Sequence, residues 1–245
     1  YKRQLLSSPD LMELHGLFLR KESKALVPQK LSKDFAKNIS LLGLEERPQQ
    51  LDFAEKVEQL LEEHQTSFIQ AQTGLGKTYG YLLPALNSES EAGILVSVPT
   101  KILQNQIMQE EGQRLKEVFH LEIHSLKGPQ NYLKLDAFHR VLHRPESNRL
   151  FTRFKMQLLI WLTETETGDL DEIGQLYRYQ HFLPELVHDG KLSKKSLFAT
   201  EDFWKRGQEK AKISRVLLTN HAYLVTRLED NPEFVDNRLL ILDLS

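Results

Sequence analysis

Apolar residues recur along the chain in two patterns, one typical of helices and one typical of buried strands. Residues 48–64 and 102–118 have their apolar positions at helical spacing. Short continuous apolar runs, bounded by polar residues, instead predict buried strands. These runs lie at 68–69, 93–99, 213–219 and 239–243. Strands that alternate with helices predict an α/β fold, a parallel sheet flanked by helices.

The strand pattern stops between residues 134 and 212. Residues 151–162 have a helical pattern, and 176–187 and 200–211 are weaker helical candidates. This stretch therefore predicts a mostly helical insertion into the sheet domain.

Charge is distributed unevenly within this insertion. Residues 134–155 carry six basic and two acidic residues, and residues 191–212 carry seven basic and three acidic ones. Between them, residues 164–172 carry five acidic residues and no basic one. Two interpretations stay open: solvated faces of amphipathic helices, or a local path for a phosphate backbone.

Composition restricts the class of protein. The 245 residues have a net charge of −2 and are 40% hydrophobic, as in an ordinary globular protein without a global basic bias. A nucleic-acid site would therefore be local.

No run approaches the about 18 apolar residues of a membrane span, and the N-terminus lacks a signal-peptide pattern, so a cytoplasmic protein without membrane association is expected. The absence of cysteine excludes disulfides and cysteine-ligated zinc or iron–sulfur clusters.

A glycine-rich turn between the run at 68–69 and the next helical pattern carries the candidate chemistry. It has the form of a phosphate-binding loop, in which glycine backbone N–H groups surround phosphates. Lysine at its end reaches the outer phosphates, and the following hydroxyl can bind Mg²⁺. The sequence predicts bound nucleoside triphosphate, here ATP with Mg²⁺. The loop residues are Ala71, Gln72, Thr73, Gly74, Leu75, Gly76, Lys77 and Thr78.

Four further motifs occur in a fixed order around this loop. With it, they resemble the DinG branch of the XPD-like superfamily-two DNA helicases, over about residues 40–245. The motifs are Arg47-Pro48-Gln49-Gln50, Ser97-Val98-Pro99-Thr100, Lys127-Gly128-Pro129-Gln130-Asn131-Tyr132-Leu133 and Thr219-Asn220-His221-Ala222-Tyr223-Leu224.

The resemblance implies a RecA-like motor domain interrupted by an iron–sulfur region and an arch-like helical domain. On this basis residues 46–133 are the first part of the motor domain and 134–212 the degenerate iron–sulfur and arch region. Residues 213–245 continue the motor domain into its Walker B strand. Residues 1–45 are then a linker, which would follow an exonuclease domain in some Gram-positive members.

The resemblance also implies roles for single residues. Arg47 and Gln50 would contact the nucleotide, with Gln50 reading adenine, and Thr73 to Thr78 would hold the phosphates. Thr78 and Asp243 would bind Mg²⁺, and Lys77, Thr78 and Asp243 would serve ATP hydrolysis. His221 either orients a loop near the nucleotide or caps a helix. Single-stranded DNA would contact Thr100, Lys101, Gln104 and Tyr132, although helix capping explains Thr100 equally well and core packing is an alternative for Tyr132.

Two departures from the family pattern change this expectation. Lys134 stands where cluster-bearing members have cysteine, so no iron–sulfur cluster is expected. Asp243 is followed by Leu244, so the glutamate that would orient the attacking water is missing. Since the chain begins with Tyr1 rather than Met, we expect a fragment. Because the sequence ends soon after Asp243, we also expect this fragment to lack the second RecA-like domain that the resemblance implies. Such a fragment should bind nucleotide better than it hydrolyses it.

The sequence therefore predicts part of an ATP-dependent DNA helicase, which would act in DNA repair if the resemblance holds. The alternative is a nucleotide- or DNA-binding module without motor activity that positions an upstream exonuclease. A third possibility, an unrelated phosphate-loop kinase or GTPase, is disfavoured by the Arg-Pro-x-Gln and Asn-His segments.

Overall fold

A four-stranded parallel sheet forms the centre of the fold. A computed structural model describes residues 29–63, 66–72, 74–88, 92–191 and 196–244. The strands are β1 (Gly93–Val98), β2 (Ile123–Ser125), β3 (Val216–Asn220) and β4 (Arg238–Leu242), and their order is β2-β3-β1-β4. Every neighbouring pair is parallel. This confirms the predicted RecA-like class of a parallel sheet with flanking helices.

Helices cover both faces of this sheet and build the insertion. A π-helical turn, Met108–Gly112, joins the fourth and fifth helices, and a 3-10 segment, Leu176–Glu185, follows the seventh. No helix in the described ranges is long and apolar enough to cross a membrane. The α-helices of the described residues are α1 (Phe35–Leu41), α2 (Pro48–Glu62), α3 (Lys77–Asn87), α4 (Lys101–Ile107), α5 (Gln113–Phe119), α6 (Leu135–Leu142), α7 (Arg149–Glu164), α8 (Phe203–Ile213) and α9 (His221–Asp230).

Alternate residues of the central strands enter two different hydrophobic cores. Ile94, Val96 and Leu218 pack with α2, α3, α4 and α5 on one face. Leu95 and Leu217 pack with α8 and α9 on the other. Because both faces are covered, the strands read as continuous apolar runs rather than as alternating ones.

The insertion has a core of its own and returns to its starting point. Phe154 stacks on Tyr179 with ring centroids 4.2 Å apart, and both side chains are buried. Residues 186–188 lie beside the start of the insertion through backbone hydrogen bonds: Lys134 N donates to Leu186 O at 2.8 Å and His188 N to Tyr132 O at 2.9 Å. The predicted helices at 151–162 and 200–211 are confirmed by α7 and α8.

Some predicted elements differ from the structure. The strand expected at 68–69 is absent, because residues 66–72 have no regular secondary structure and Phe68 is 92% exposed. A strand needs a hydrogen-bonded neighbour, and among the described residues β4 pairs only with β1. The strand expected from residue 213 begins at Val216, since Ile213 is the last residue of α8.

Two elements were missed by the sequence patterns, and one region differs from expectation. β2 and α6 are the missed elements; β2 is only three residues long and gives little periodicity. Within the predicted N-terminal linker, residues 1–28 lie outside the described part. Its described end contains α1, whose Ile39 is buried in the sheet core together with Leu42. Residues 35–42 therefore pack as part of the fold.

Candidate functional site

The phosphate-binding loop has the backbone that its glycines predict. Gly74 has φ +79° and Gly76 has φ +81°, values that side chains with a Cβ rarely adopt. Gly76 directly precedes α3, and Gly80 N donates to Gly76 O at 3.3 Å. Thr73 lies outside the described residues. The loop therefore leads into the N-terminus of an eleven-residue helix, where backbone N–H groups favour an anion.

Two side chains from the start of α2 hold this loop. Arg47 Nη1 donates to Gly74 O at 3.1 Å, and Gln50 Nε2 donates to Gly76 O at 2.7 Å. Gln50 is 5% exposed, and a Cβ added to Gly76 would lie 2.3 Å from Gln50 Nε2. Contact with adenine was predicted for Gln50. Its amide nitrogen is bound to the loop backbone, so the geometry supports a role in shaping the loop, and the contact with adenine stays a prediction.

The two predicted magnesium ligands come together although they are distant in sequence. Tyr81 Oη donates to Asp243 Oδ2 at 3.2 Å, and the Thr78 hydroxyl also interacts with the Tyr81 phenol. Asp243 is held at the end of β4, where its N–H donates to Ser97 O at 2.9 Å. Burial and the nearby Asp243 carboxylate raise the pKa of Tyr81, so the phenol keeps its proton. Tyr81 was not predicted as part of the site.

The chemistry of these groups fits a magnesium nucleotide. A hydroxyl and a carboxylate are the oxygen ligands that Mg²⁺ accepts beside phosphates. Lys77 is the first residue of α3 and is partly exposed beside the loop. The described residues thus combine an anion-binding helix end, a lysine and a pair of oxygen ligands.

His221 lies at the carboxyl edge of the sheet. Its Nδ1 is 2.8 Å from Ser97 Oγ, and its Nε2 is buried without a hydrogen-bond partner among the described residues. The helix cap of α9 is the neighbouring Asn220, which accepts from Tyr223 N at 3.0 Å. His221 therefore does not cap this helix, and its ring is tied to the strand that also holds Asp243.

The residues predicted to contact DNA divide into an exposed and a buried group. Thr100 caps α4 by accepting from Leu103 N at 3.1 Å. The Lys101 side chain is 48% exposed, with Nζ 2.6 Å from Asn131 Oδ1 and 3.6 Å from Asp171 Oδ2. Both residues are accessible to a phosphate oxygen.

Gln104 and Tyr132 are not accessible, which corrects the sequence prediction. Gln104 is fully buried, and Nε2 donates to Leu126 O and Leu218 O at 3.1 and 3.2 Å. Its Oε1 accepts from Asn220 Nδ2 at 2.9 Å. Tyr132 is 3% exposed, and its hydroxyl accepts from Lys127 N at 3.1 Å. Gln104 joins two parts of the core and Tyr132 packs within it, so neither presents a surface for nucleic acid in this structure.

A buried ionic cluster lies beside these residues and was missed by the sequence analysis. The fully buried Lys127 donates from Nζ to Asp169 and, at 2.9 Å, to Asp171 Oδ2. Burial raises the pKa of Asp169 despite the lysine. Burial also acts to raise the pKa of Asp171, but its bonds to Lys127 and the charge of Lys101 lower it in total. Two of the five acidic residues of 164–172, Asp169 and Asp171, therefore neutralise an internal cation.

Comparison with known proteins agrees with this geometry. Residues 49–168 match the model of the DEAD/DEAH box helicase family. The match spans 120 of the 245 residues, so the chain is similar to this family over just under half of its length. It is 33% identical over 198 residues to the 3'-5' exonuclease DinG of Staphylococcus saprophyticus, a match that covers 78% of this chain and 21% of that protein. The DinG of Staphylococcus aureus strain USA300 is 31% identical over 195 residues, with 78% of this chain and 21% of that protein covered.

These relatives confirm the resemblance to DinG. The chain spans about a fifth of the length of these proteins, since the match covers 21% of each. The match to the family model ends at residue 168, after the end of α7. It therefore includes the loop and Lys101 but not Asp243. The family match thus relates residues 49–168, which include the phosphate-binding loop, to DEAD/DEAH box helicases.

Proposed function

We propose that this chain is a nucleotide- and single-stranded-DNA-binding part of an ATP-dependent DNA helicase motor. The observation that carries the proposal is the Thr78–Tyr81–Asp243 arrangement, which unites the loop and the end of β4 in one oxygen-rich site. Lys77 would contact the outer phosphates, Thr78 and Asp243 would hold Mg²⁺, and Arg47 and Gln50 would fix the loop. Bound Mg²⁺ would neutralise charge on the phosphates.

Single-stranded DNA would bind at the exposed start of α4, through Thr100 and Lys101. A hydroxyl and an ammonium suit phosphate oxygens. Since Asp171 and Asn131 already contact Lys101, DNA would compete with them for this ammonium. Gln104 and Tyr132 would support this surface from inside.

ATP hydrolysis by this chain alone is expected to be slow. Leu244 follows Asp243, and its side chain supplies no acceptor for the attacking water. A second RecA-like domain would complete the ATP cleft. Translocation and unwinding are therefore proposed for a larger protein.

Titration with fluorescent ADP in Mg²⁺ tests the nucleotide site. Wild type should bind in the micromolar range, and Lys77→Ala should lose most of this affinity because the phosphates lose their cation. Lys56→Ala, an exposed lysine of α2, is the control and should bind like wild type. Absence of binding by a folded wild type would contradict the proposal. Stronger competition by GTP than by ATP would indicate a GTPase instead.

The second candidate function is a binding module without motor activity, which positions an exonuclease. It is favoured by the matched relatives, which are named 3'-5' exonuclease DinG. Strand displacement by the full-length protein separates the two functions. ATP-dependent unwinding that Lys77→Ala abolishes supports the helicase. Nuclease activity on single-stranded ends, with no unwinding at saturating ATP, supports the module.

A further inference from the structure

Glu111 lies on the π-helical turn that joins α4 to α5. The buried residues of α4, the π-helical turn and α5 are Gln104, Ile107, Gly112, Leu115 and Phe119. The step from 107 to 112 is longer than a regular α-helix allows for one face, and the π-helical turn takes up the extra residue. Turns of this kind often occur at functional sites. Here the turn places Glu111 next to the buried Gly112, at the edge of the packed face.

The first turn of α3 packs along this segment. The Thr78 hydroxyl lies close enough to the Glu111 carboxylate to act on its pKa as a hydrogen-bond donor, and the Arg114 guanidinium lies beside the Tyr79 phenol. Glu111 therefore lies next to Thr78, the residue that follows Lys77. Glu111 also acts electrostatically on Tyr81, the side chain that joins Thr78 to Asp243. Two carboxylates, Glu111 and Asp243, therefore flank the same pair of hydroxyl groups.

One oxygen of Glu111 has no partner. Its Oε2 is buried and forms no hydrogen bond with the described residues. Burial of the group raises its pKa, whereas the Thr78 hydroxyl favours the charged form. A buried carboxylate oxygen without a hydrogen-bond donor lowers the stability of the fold. We therefore expect this oxygen to face a cation or a donor that arrives with a ligand.

We propose that Glu111 is a positioning residue for the divalent cation that accompanies the nucleotide; this inference rests on the proposed function of the loop. Its carboxylate would accept the Thr78 hydroxyl hydrogen, leaving the lone pairs of that oxygen for the cation. Its charge would also add to that of Asp243. Without a cation, both carboxylates repel the phosphates of a nucleotide; with a cation, both attract the complex.

The proposal predicts that Glu111→Gln weakens nucleotide binding in the presence of Mg²⁺ but not in its absence. Fluorescent ADP is titrated into the whole chain in Mg²⁺ and again in EDTA, for wild type, Glu111→Gln and the control Glu110→Gln. Glu110 is the exposed acidic neighbour on the same turn. In Mg²⁺, Glu111→Gln should bind about tenfold more weakly than wild type, the lower range for an outer-shell partner of a metal site. In EDTA it should bind as tightly as wild type or tighter.

A direct measurement of metal binding accompanies the titration. Mn²⁺ paramagnetic resonance with saturating ADP should show weaker cation binding by Glu111→Gln, and an intermediate value for Glu111→Asp, whose shorter side chain keeps the charge. Glu110→Gln should match wild type in both measurements.

The outcomes separate this inference from the proposed function. If Lys77→Ala loses nucleotide but Glu111→Gln keeps the magnesium dependence of wild type, Glu111 has no such role and the proposed function stands. If Glu111→Gln loses the same nucleotide affinity in Mg²⁺ and in EDTA, Glu111 has a structural role and the inference is overturned. Failure of both Glu111 variants to fold would have the same meaning. If folded wild type binds no nucleotide, the proposed function itself fails.

Discussion

At the residue scale, two glycines of the loop share one conformation but differ in their surroundings. Gly74 and Gly76 both have positive φ, yet only Gly76 contacts the Gln50 side chain, while a Cβ on Gly74 would have no atom within 4 Å. We expect Gly76→Ala to lose nucleotide binding, because the methyl group would force Gln50 away in addition to the backbone strain of about 1–3 kcal/mol. Titration with fluorescent ADP measures this loss.

Gly74→Ala is the matched control for that prediction. It carries similar backbone strain without the contact, so it should retain more affinity than Gly76→Ala. Replacing Gln50 by alanine in the Gly76→Ala background should restore part of the difference. Equal losses in both single variants would mean that the Gln50 contact contributes nothing to the loop.

Lys101 allows a prediction about the DNA surface. Lys101→Ala should weaken binding of single-stranded DNA irrespective of its sequence and lower the salt slope of log K by about 0.7, because one phosphate contact is lost. Fluorescence anisotropy at several salt concentrations measures both quantities. The ion pair with Asp171 is half-exposed on the lysine side, so folding stability should change by less than about 1 kcal/mol. An unchanged salt slope would place the DNA path elsewhere.

At the element scale, Asp202 fixes the start of α8 and the preceding loop. Its Oδ1 accepts from Lys205 N at 2.8 Å, and its Oδ2 lies 3.1 Å from Nε2 of the buried His188. Since His188 Nδ1 accepts from Gly190 N, the neutral ring carries its proton on Nε2 and donates to Asp202. Asp202→Ala should lower the free energy of unfolding by about 2–3 kcal/mol, from a lost cap and an unpartnered buried ring.

Asn148→Ala is the control, because Asn148 caps α7 without a buried partner and should cost only about 1 kcal/mol. Urea denaturation measures both variants. Similar losses of unfolding free energy in the two variants would show that the contact between His188 and Asp202 does not stabilise the fold.

The charge of Asp202 also predicts a pH dependence. Burial acts to raise its pKa, but the bonds from His188 and Lys205 N lower it in total. A carboxyl group whose pKa is depressed by folding stabilises fully above its unfolded pKa of about 3.9. This stabilisation is lost as pH falls through the lower folded value. The difference in stability between wild type and Asp202→Asn should therefore be constant above pH 5 and decrease below pH 4.

Apolar spacing along the sequence predicted some helices and strands and missed others. β1, β3, α2 and α3 are long or strongly patterned, so their apolar spacing was sufficient. The predicted strand at 68–69 failed because hydrogen bonds from a neighbouring strand decide such a short segment, and apolar character alone does not supply them. The π-helical turn was not visible either, because it is an adjustment of one helix to its packing.

The candidate site was predictable only in part for a related reason. The loop and Asp243 follow from residue types and order, because phosphate binding needs them at that spacing. Tyr81 belongs to no motif and joins the site through its hydrogen bond to Asp243. Glu111, the proposed positioning residue, belongs to no motif either. Gln104 has the residue type of a phosphate contact, but its position on α4 faces the core.

At the scale of the whole molecule, Lys127 connects the sheet domain to the insertion. It lies between β2 and the insertion, while its partners Asp169 and Asp171 belong to the segment after α7. The lysine is fully buried and has no access to water, whereas the side chains of Asp169 and Asp171 are 15% and 27% exposed. A buried pair is strongly destabilised when one partner is removed, since the remaining charge is uncompensated.

Lys127→Met should therefore lower the free energy of unfolding by about 3–5 kcal/mol and loosen the insertion first. Lys134→Met is the matched control: Lys134 pairs with the 55% exposed Asp189, so its loss should cost less than about 1 kcal/mol. Hydrogen exchange followed by mass spectrometry should show faster exchange in α6 and α7 of Lys127→Met, with the strands still protected. Uniform exchange over both parts would mean that sheet and insertion unfold together and that Lys127 stabilises a single cooperative unit.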